Sequence, residues 1–327
     1  MAAMRSPALA GLLLFAGGLT AEGLAQVPPP PPPPPVAPFK AEPAPQAKPA
    51  AAPPQAPRAA AQLADPAARR GEYVAAAAGC LGCHTDEKAN AVAYAGGRAL
   101  KTPFGTFYGP NITPHPVAGI GKWSEADFAR AIREGLRPDG AHYFPAFPYP
   151  SFTRIADDDL KDLWAYLRAL PPSDRRNQPH ELGFPFSWRF LVRFWKWLYF
   201  TPGRFAPDPK RSAAVNRGDY LVNVLGHCGE CHTPRNFLGG PKRARHLAGT
   251  PKGANGGGTS NLTPASLKKW SDAELAGFLQ TGMTSEGDVT GEKMGEVVRN
   301  TTSRLTAQDL NSVIAYLRAL PPIADEP

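Results

Sequence analysis

The chain has 327 residues, 43% of them apolar, with 36 Lys and Arg against 28 Asp and Glu for a formal charge of +8. That length allows two ordinary domains. All four cysteines fall in two short CxxCH runs, which leaves no thiol for a structural disulfide, and the dense basic run at 242–246 (KRARH) reads as a solvated loop, not a nucleic-acid surface.

Residues 1–25 read as a secretory signal peptide. Arg5 precedes the apolar run at 7–19, and Gly23 and Ala25 offer a small-residue cleavage site before Gln26. The run is shorter than the roughly 20 residues of an ordinary spanning helix; retention as a membrane anchor is the alternative. Residues 26–67 are almost wholly Pro, Ala, Lys and Gln, with prolines at every position from 28 to 35. Such a composition buries no core and favours extended, disordered chain. It reads as a spacer: a plain solvated linker, a tether, or a ligand for a proline-binding module.

From residue 68 onward the sequence is written twice. RGEYVAAAAGCLGCHT around Arg70 returns as RGDYLVNVLGHCGECHT at Arg217, and NITP at Asn111 returns as NLTP at Asn261. KWSEADFARAIREG at Lys122 matches KWSDAELAGFLQTG at Lys269, and DLKDLWAYLRALPP at Asp159 matches DLNSVIAYLRALPP at Asp309. The separation is 148 residues at the first cysteines (80 and 228) and 150 at both the asparagines and the tyrosines 166 and 316. A duplication with small insertions gives this register, with one domain at 68–172, a linker at 173–212 and a second domain at 213–327.

Each copy carries one chemical motif, Cys80-Leu81-Gly82-Cys83-His84 or Cys228-Gly229-Glu230-Cys231-His232. Two thiols at this spacing can add to the two vinyl groups of one porphyrin, while the adjacent histidine reaches the iron from the same turn. The expected cofactors are therefore two covalently attached haem c groups, on Cys80 and Cys83 and on Cys228 and Cys231, with His84 and His232 as axial ligands. A thioredoxin-like pair or half a zinc site would use the cysteines but has no need of the histidine. Covalent haem of this type agrees with export.

Around the motifs the pattern is helical. Residues 71–79 and 218–226 can form short entry helices, and Ser124 with Asp127 and Ser271 with Glu274 make capping boxes. The copies close on helical runs at 157–170 and 306–320, each stopped by Pro-Pro. Intervening segments are rich in Gly and Pro, so strands find little support. Trp123 and Trp270 repeat at matching places, either as core or as indole donors to haem propionates. Between the copies, residues 184–205 (FPFSWRFLVRFWKWLYFTPGRF) interleave aromatic and basic residues at helical spacing. This segment reads as a linker helix packed across the domains, or as a surface for peripheral membrane contact or a partner.

Two CxxCH copies, each with an NxTP loop, a W-S-D/E helix start and a closing YLRALPP, resemble the cytochrome c subunits of bacterial periplasmic alcohol, aldehyde and gluconate dehydrogenases. The likeness runs over residues 68–322. Those subunits commonly carry three haems where this chain has two motifs. The resemblance implies an all-α fold of two tandem class I cytochrome c-like domains joined by an aromatic linker helix. It also implies a periplasmic electron carrier, loaded by a dehydrogenase subunit holding a molybdenum, flavin or quinone cofactor and discharged to a respiratory acceptor.

The family pattern further implies the second axial ligands. GEKMGEVVRN places Met294 on the iron of the second copy, and Met283 is then expected to be packing. Where the family frequently shows PAMPY, this chain reads Pro145-Ala146-Phe147-Pro148-Tyr149. A phenylalanine cannot ligate iron, so three outcomes stand: His142 binds, His115 binds, or the iron is five-coordinate under Phe147. Loss of the thioether removes a ligand that favours reduced iron, which makes the first copy the lower in potential. Two function classes stay open, an electron carrier and a peroxidase-like haem enzyme with His142 as distal acid-base group.

Overall fold

A computed structural model describes residues 65–251 and 258–326. The expected signal peptide and all but the last three residues of the spacer lie outside them. Helix α1 (Pro66–Ala77) begins inside the expected spacer, because Asp65 caps its Ala67 N–H at 2.9 Å and Pro66 sits at a first-turn position that needs no donor. There follow α2 (Cys80–His84), β1 (Ala99–Thr102), β2 (Gly105–Tyr108), α3 (Glu125–Glu134), α4 (Tyr149–Phe152), α5 (Asp157–Ala169), β3 (Glu181–Leu182) and α6 (Leu191–Tyr199). The second copy contributes α7 (Ala213–Tyr220), a π-turn (Leu221–Leu225), α8 (Gly229–His232), α9 (Pro264–Leu267), α10 (Asp272–Thr281), α11 (Glu292–Asn300) and α12 (Ala307–Arg318). Both capping boxes form, at the starts of α3 and α10.

The described chain is mostly helical, but the all-α expectation needs correcting for a small antiparallel sheet in the order β1-β2-β3. Thr102 pairs with Gly105 across the two-residue turn Pro103-Phe104, and Gly105 stands at φ +124°, where glycine is favoured. A Cβ there would lie 2.2 Å from the Glu181 carbonyl oxygen, so the third strand also requires this glycine. Phe107 of the sheet joins Phe144 and Val192 of α6 in a satellite cluster, with Leu100 and Leu182 packed against it. Strands of two to four residues are too short to show a period of two in sequence.

In each copy the entry helix crosses the closing helix at a glycine. A Cβ on Gly71 would sit 1.8 Å from the Asp162 carbonyl oxygen of α5, and one on Gly218 would sit 1.9 Å from that of Ser312 in α12. The neighbouring arginines lock these crossings. Arg70 forks onto Asp162 at 2.7 and 2.8 Å, and Arg217 onto Asp309 at 2.8 and 2.7 Å.

The tyrosine of the repeated RG[E/D]Y motif crosses between copies. Tyr73 donates to Asp309 and Tyr220 donates to Asp159, each at 2.6 Å, and each hydroxyl accepts the backbone N–H at the start of the opposite closing helix, Thr306 and Ala156 respectively. The contact is reciprocal, as in a two-fold interface. One hydrophobic cluster runs through both copies, including Val74, Leu81 and Leu163 from the first and Val222, Leu225 and Ile314 from the second.

The copies differ by one residue at the motif. Tyr73 and Tyr220 are 147 apart, the first cysteines 148. The extra residue is absorbed in the π-turn, where Gly226 N–H bonds the Leu221 carbonyl at 2.7 Å, and His227 then takes φ +37°. The aromatic segment forms a helix only over the nine residues of α6. No helix among the described residues is long and apolar enough to cross a membrane.

Two measurements check this packing. Gly218→Ala should destabilise the protein by about 1–3 kcal/mol through overpacking, whereas Gly277→Ala in α10, where a Cβ meets nothing within 4 Å, should stabilise it by about 0.5–1 kcal/mol in urea denaturation. Burial pushes the Asp309 carboxyl up, but the hydrogen bonds from Arg217 and Tyr73 outweigh it and leave the group below the ordinary range. A depressed native value gives stability that is present above the ordinary Asp value and lost as pH falls through the lowered one. Asp309→Asn should therefore lose about 1–3 kcal/mol at neutral pH and show a shallower decline of stability below pH about 4.

Candidate haem sites

The two motif histidines have the same local geometry. His84 Nδ1 lies 2.7 Å from the Pro110 carbonyl oxygen, and His232 Nδ1 lies 2.7 Å from that of Ser260. A carbonyl only accepts, so each Nδ1 carries a proton and donates it, which leaves the Nε2 lone pair for a metal. Burial moves both imidazoles below their ordinary value, favouring the neutral ring that ligation needs.

The thiols are the opposite of a redox pair. Burial pushes Cys80 and Cys228 up to about 12 and Cys83 up to about 11, whereas reactive dithiols are held low. Cys80 and Cys228 also pack on the apolar cluster. Paired thiols, a free Nε2 and an apolar wall fit a covalently held haem.

The NxTP loops hold the carbonyls in place. Asn111 Nδ2 donates to the Ser173 and Arg175 carbonyls at 2.8 and 3.0 Å, while its Oδ1 accepts Thr113 N–H at 2.9 Å. Asn261 repeats this with the Ile323 carbonyl at 2.7 Å and Thr263 N–H at 2.8 Å. Thr113 and Thr263 hydroxyls accept N–H from Ser173 and Ile323 at 3.0 and 3.1 Å. In both copies the residue before the asparagine supplies the histidine's acceptor, so the loop is a clamp between the proximal carbonyl and the chain beyond the closing helix. The sequence shows NxTP as a repeated marker; its partners some 60 residues away are not readable there.

In the segments after α3 and α10, bridge pairing sets the register. Leu136 pairs with His142 and Met283 with Val289, both 147 residues apart, and five residues further on stand Phe147 and Met294. Phe147 thus takes the place of Met294. His142 takes that of Val289, which is 76% exposed. The His142 ring turns to α6, with Nδ1 3.2 Å from Lys196 Nζ, and its carbonyl accepts Arg189 at 2.7 Å. Partial burial, with Lys196 and Arg193 beside it, lowers its pKa. His115 Nδ1 accepts the backbone N–H groups of Val117 and Ala118 at 3.2 and 3.0 Å, a turn-stabilising role.

Phe147 lies in an aromatic group, with ring centroids 5.4 Å from Tyr143, 6.0 Å from Phe152 and 6.4 Å from Tyr149. Met294 is half-buried on α11, which rests on the first copy's motif through Arg98 and Glu296 at 2.7 Å, beside Gly82. Met283, expected as packing, is 50% exposed, because its bridge lies at the surface. Trp123 and Trp270 are half-buried against the core. In the basic run Arg245 is not simply solvated: it bonds the Ala324 carbonyl at 2.8 Å and pairs with Glu326.

Residues 68–171 match the cytochrome c family model. A dihaem c-type cytochrome of Cereibacter sphaeroides is 44% identical over 264 residues, covering 78% of this chain and 86% of that protein. A nicotinate dehydrogenase subunit of Pseudomonas putida is 43% identical over 77% of this chain and 21% of its own length. The fructose dehydrogenase cytochrome subunit of Gluconobacter japonicus is 38% identical over 80% of this chain and 54% of its own length. The chain thus spans about half, or less, of these two dehydrogenase subunits. It belongs to the c-type cytochrome family that includes this dihaem cytochrome and the cytochrome subunits of dehydrogenases.

Proposed function

We propose that the chain is an exported, periplasmic dihaem electron carrier built from two tandem cytochrome c domains, which accepts electrons from a dehydrogenase catalytic subunit and passes them to a respiratory acceptor. The kinship with subunits of nicotinate and fructose dehydrogenases supports this partner. The observation that carries the reading is the paired imidazole geometry, a proton fixed on Nδ1 and a free Nε2 beside each CxxC. When bound, each haem supplies one iron(III)/iron(II) couple. Cys80, Cys83, Cys228 and Cys231 would fix the groups, and His84 and His232, with Met294 in the second copy, would supply ligands to them.

In the first copy Phe147 stands where the thioether would be; it would supply no ligand and would cover a position left open. His142 faces the linker helix, which also speaks against a peroxidase-like acid-base role. A Met294 thioether would favour reduced iron and Phe147 would withhold that preference, so electrons would pass from the first copy to the second.

Helix α6 adds a second contact. Its inner face packs through Val192, through Trp195 Nε1 donating to the Leu238 carbonyl at 3.0 Å, and through Tyr199. Its outer face and the loop before it expose Phe184, Trp188, Phe190, Phe194 and Trp197, with Arg193 among them. No carboxylate occurs from residue 184 to 207. This surface suits peripheral contact with an anionic membrane.

Potentiometric titration of the holoprotein should resolve two one-electron steps, and Phe147→Met should raise the lower one while leaving the upper unchanged; a lower step that shifts instead in Met294→Ala would contradict the order. In sedimentation with anionic vesicles, replacing both Phe194 and Trp197 by Ser should weaken binding about a hundredfold or more, since each large apolar side chain is worth about 1.5–3 kcal/mol; unchanged binding would remove the membrane surface.

A further inference from the structure

We propose that His227, a residue of the second copy, closes the distal side of the first copy's haem site by holding Phe152 against Phe147. This rests on the reading that Phe147 covers an open coordination position.

His227 is the counterpart of Gly79, which precedes the first motif at φ +63°. That backbone position suits glycine, yet the second copy places a histidine there at φ +37°. A non-glycine residue in this region costs about 1–3 kcal/mol and persists only where its surroundings hold it. The one-residue insertion and its π-turn deliver the residue to this point.

The side chain has a specific neighbour. Its ring meets Phe152 edge-on, with centroids 5.5 Å apart at 78°. Phe152 is a core residue at the end of α4, 6% exposed, and its ring also lies 6.0 Å from that of Phe147. Phe147, Phe152 and His227 therefore form a chain of ring contacts from the first copy's distal side to Cys228, the residue after His227. Rotation of Phe147 away from a small ligand would need Phe152 to yield, and His227 blocks that movement. Gly79 has no side chain, so it cannot act in the same way on the second copy.

The test is carbon monoxide association with the reduced, full-length holoprotein by flash photolysis. Wild type should bind slowly at one haem, and Phe147→Ala should bind faster. His227→Gly, which removes the backbone strain and places the first copy's own residue at this site, should accelerate association about tenfold with the thioether band of the second haem unchanged. Phe152→Leu, which keeps an apolar core residue, should accelerate it as well. If Phe147→Ala is fast but His227→Gly and Phe152→Leu match wild type, the role of His227 is refuted while the open position stands. If Phe147→Ala binds no carbon monoxide, the open position itself is refuted, and the inference falls with it.

Discussion

The hydrogen bond from a motif histidine to one backbone carbonyl is the constraint on which the rest of the structure depends. An imidazole left free to exchange tautomers presents Nε2 only part of the time, and a rotating ring does not aim it. Pro110 and Ser260 remove both freedoms. Each carbonyl is fixed in turn by an asparagine that ties its loop to the segment after the closing helix. Helix crossing, Pro-Pro stop and NxTP loop thus serve one geometric requirement at the ring. The crossing glycines belong to the same requirement, since a closing helix displaced by a methyl group would carry the clamp with it.

Duplication gave two such units, and their interface uses the same motif a second time. In RG[E/D]Y the glycine sets the crossing within a copy while the tyrosine reaches the other copy. Because the exchange is reciprocal, neither copy can shift without breaking bonds in both. Small departures from symmetry distinguish the copies: one inserted residue before Cys228, a phenylalanine for a methionine, and a histidine for a glycine. On our reading these give a lower-potential, covered site in the first copy and a thioether site in the second.

Much of this is legible in the sequence. CxxCH requires no tertiary information, because attachment and proximal ligation occur within a single turn, and the capping boxes at Ser124 and Ser271 are equally local. The family pattern alone points to Phe147 and Met294 as counterparts, and the two bridges put them in register. What cannot be read is non-local or too short: the acceptors of His84 and His232, the tyrosine exchange across more than 200 residues in sequence for Tyr73 and Asp309, and strands of two to four residues. Met283, expected to be packing once the family pattern gave the ligand role to Met294, is instead half-exposed, because its bridge with Val289 lies at the surface. His142 is attractive by proximity in sequence, yet its pairing with Leu136 turns it to α6.

On our reading the carrier has a direction built into the residues facing its two sites. Charged pairs flank both motifs, Arg98 with Glu296 and Arg175 with Asp86 at the first and Glu230 with Arg235 at the second, so on our reading it is the contrast between Met294 and Phe147 that separates the potentials. Electron paramagnetic resonance of the oxidised, full-length holoprotein tests that contrast most directly. The expected spectrum holds one high-spin iron without a sixth protein ligand and one low-spin iron with a histidine–methionine pair. Two low-spin signals, whether from a second thioether or from a bis-histidine centre, would contradict it.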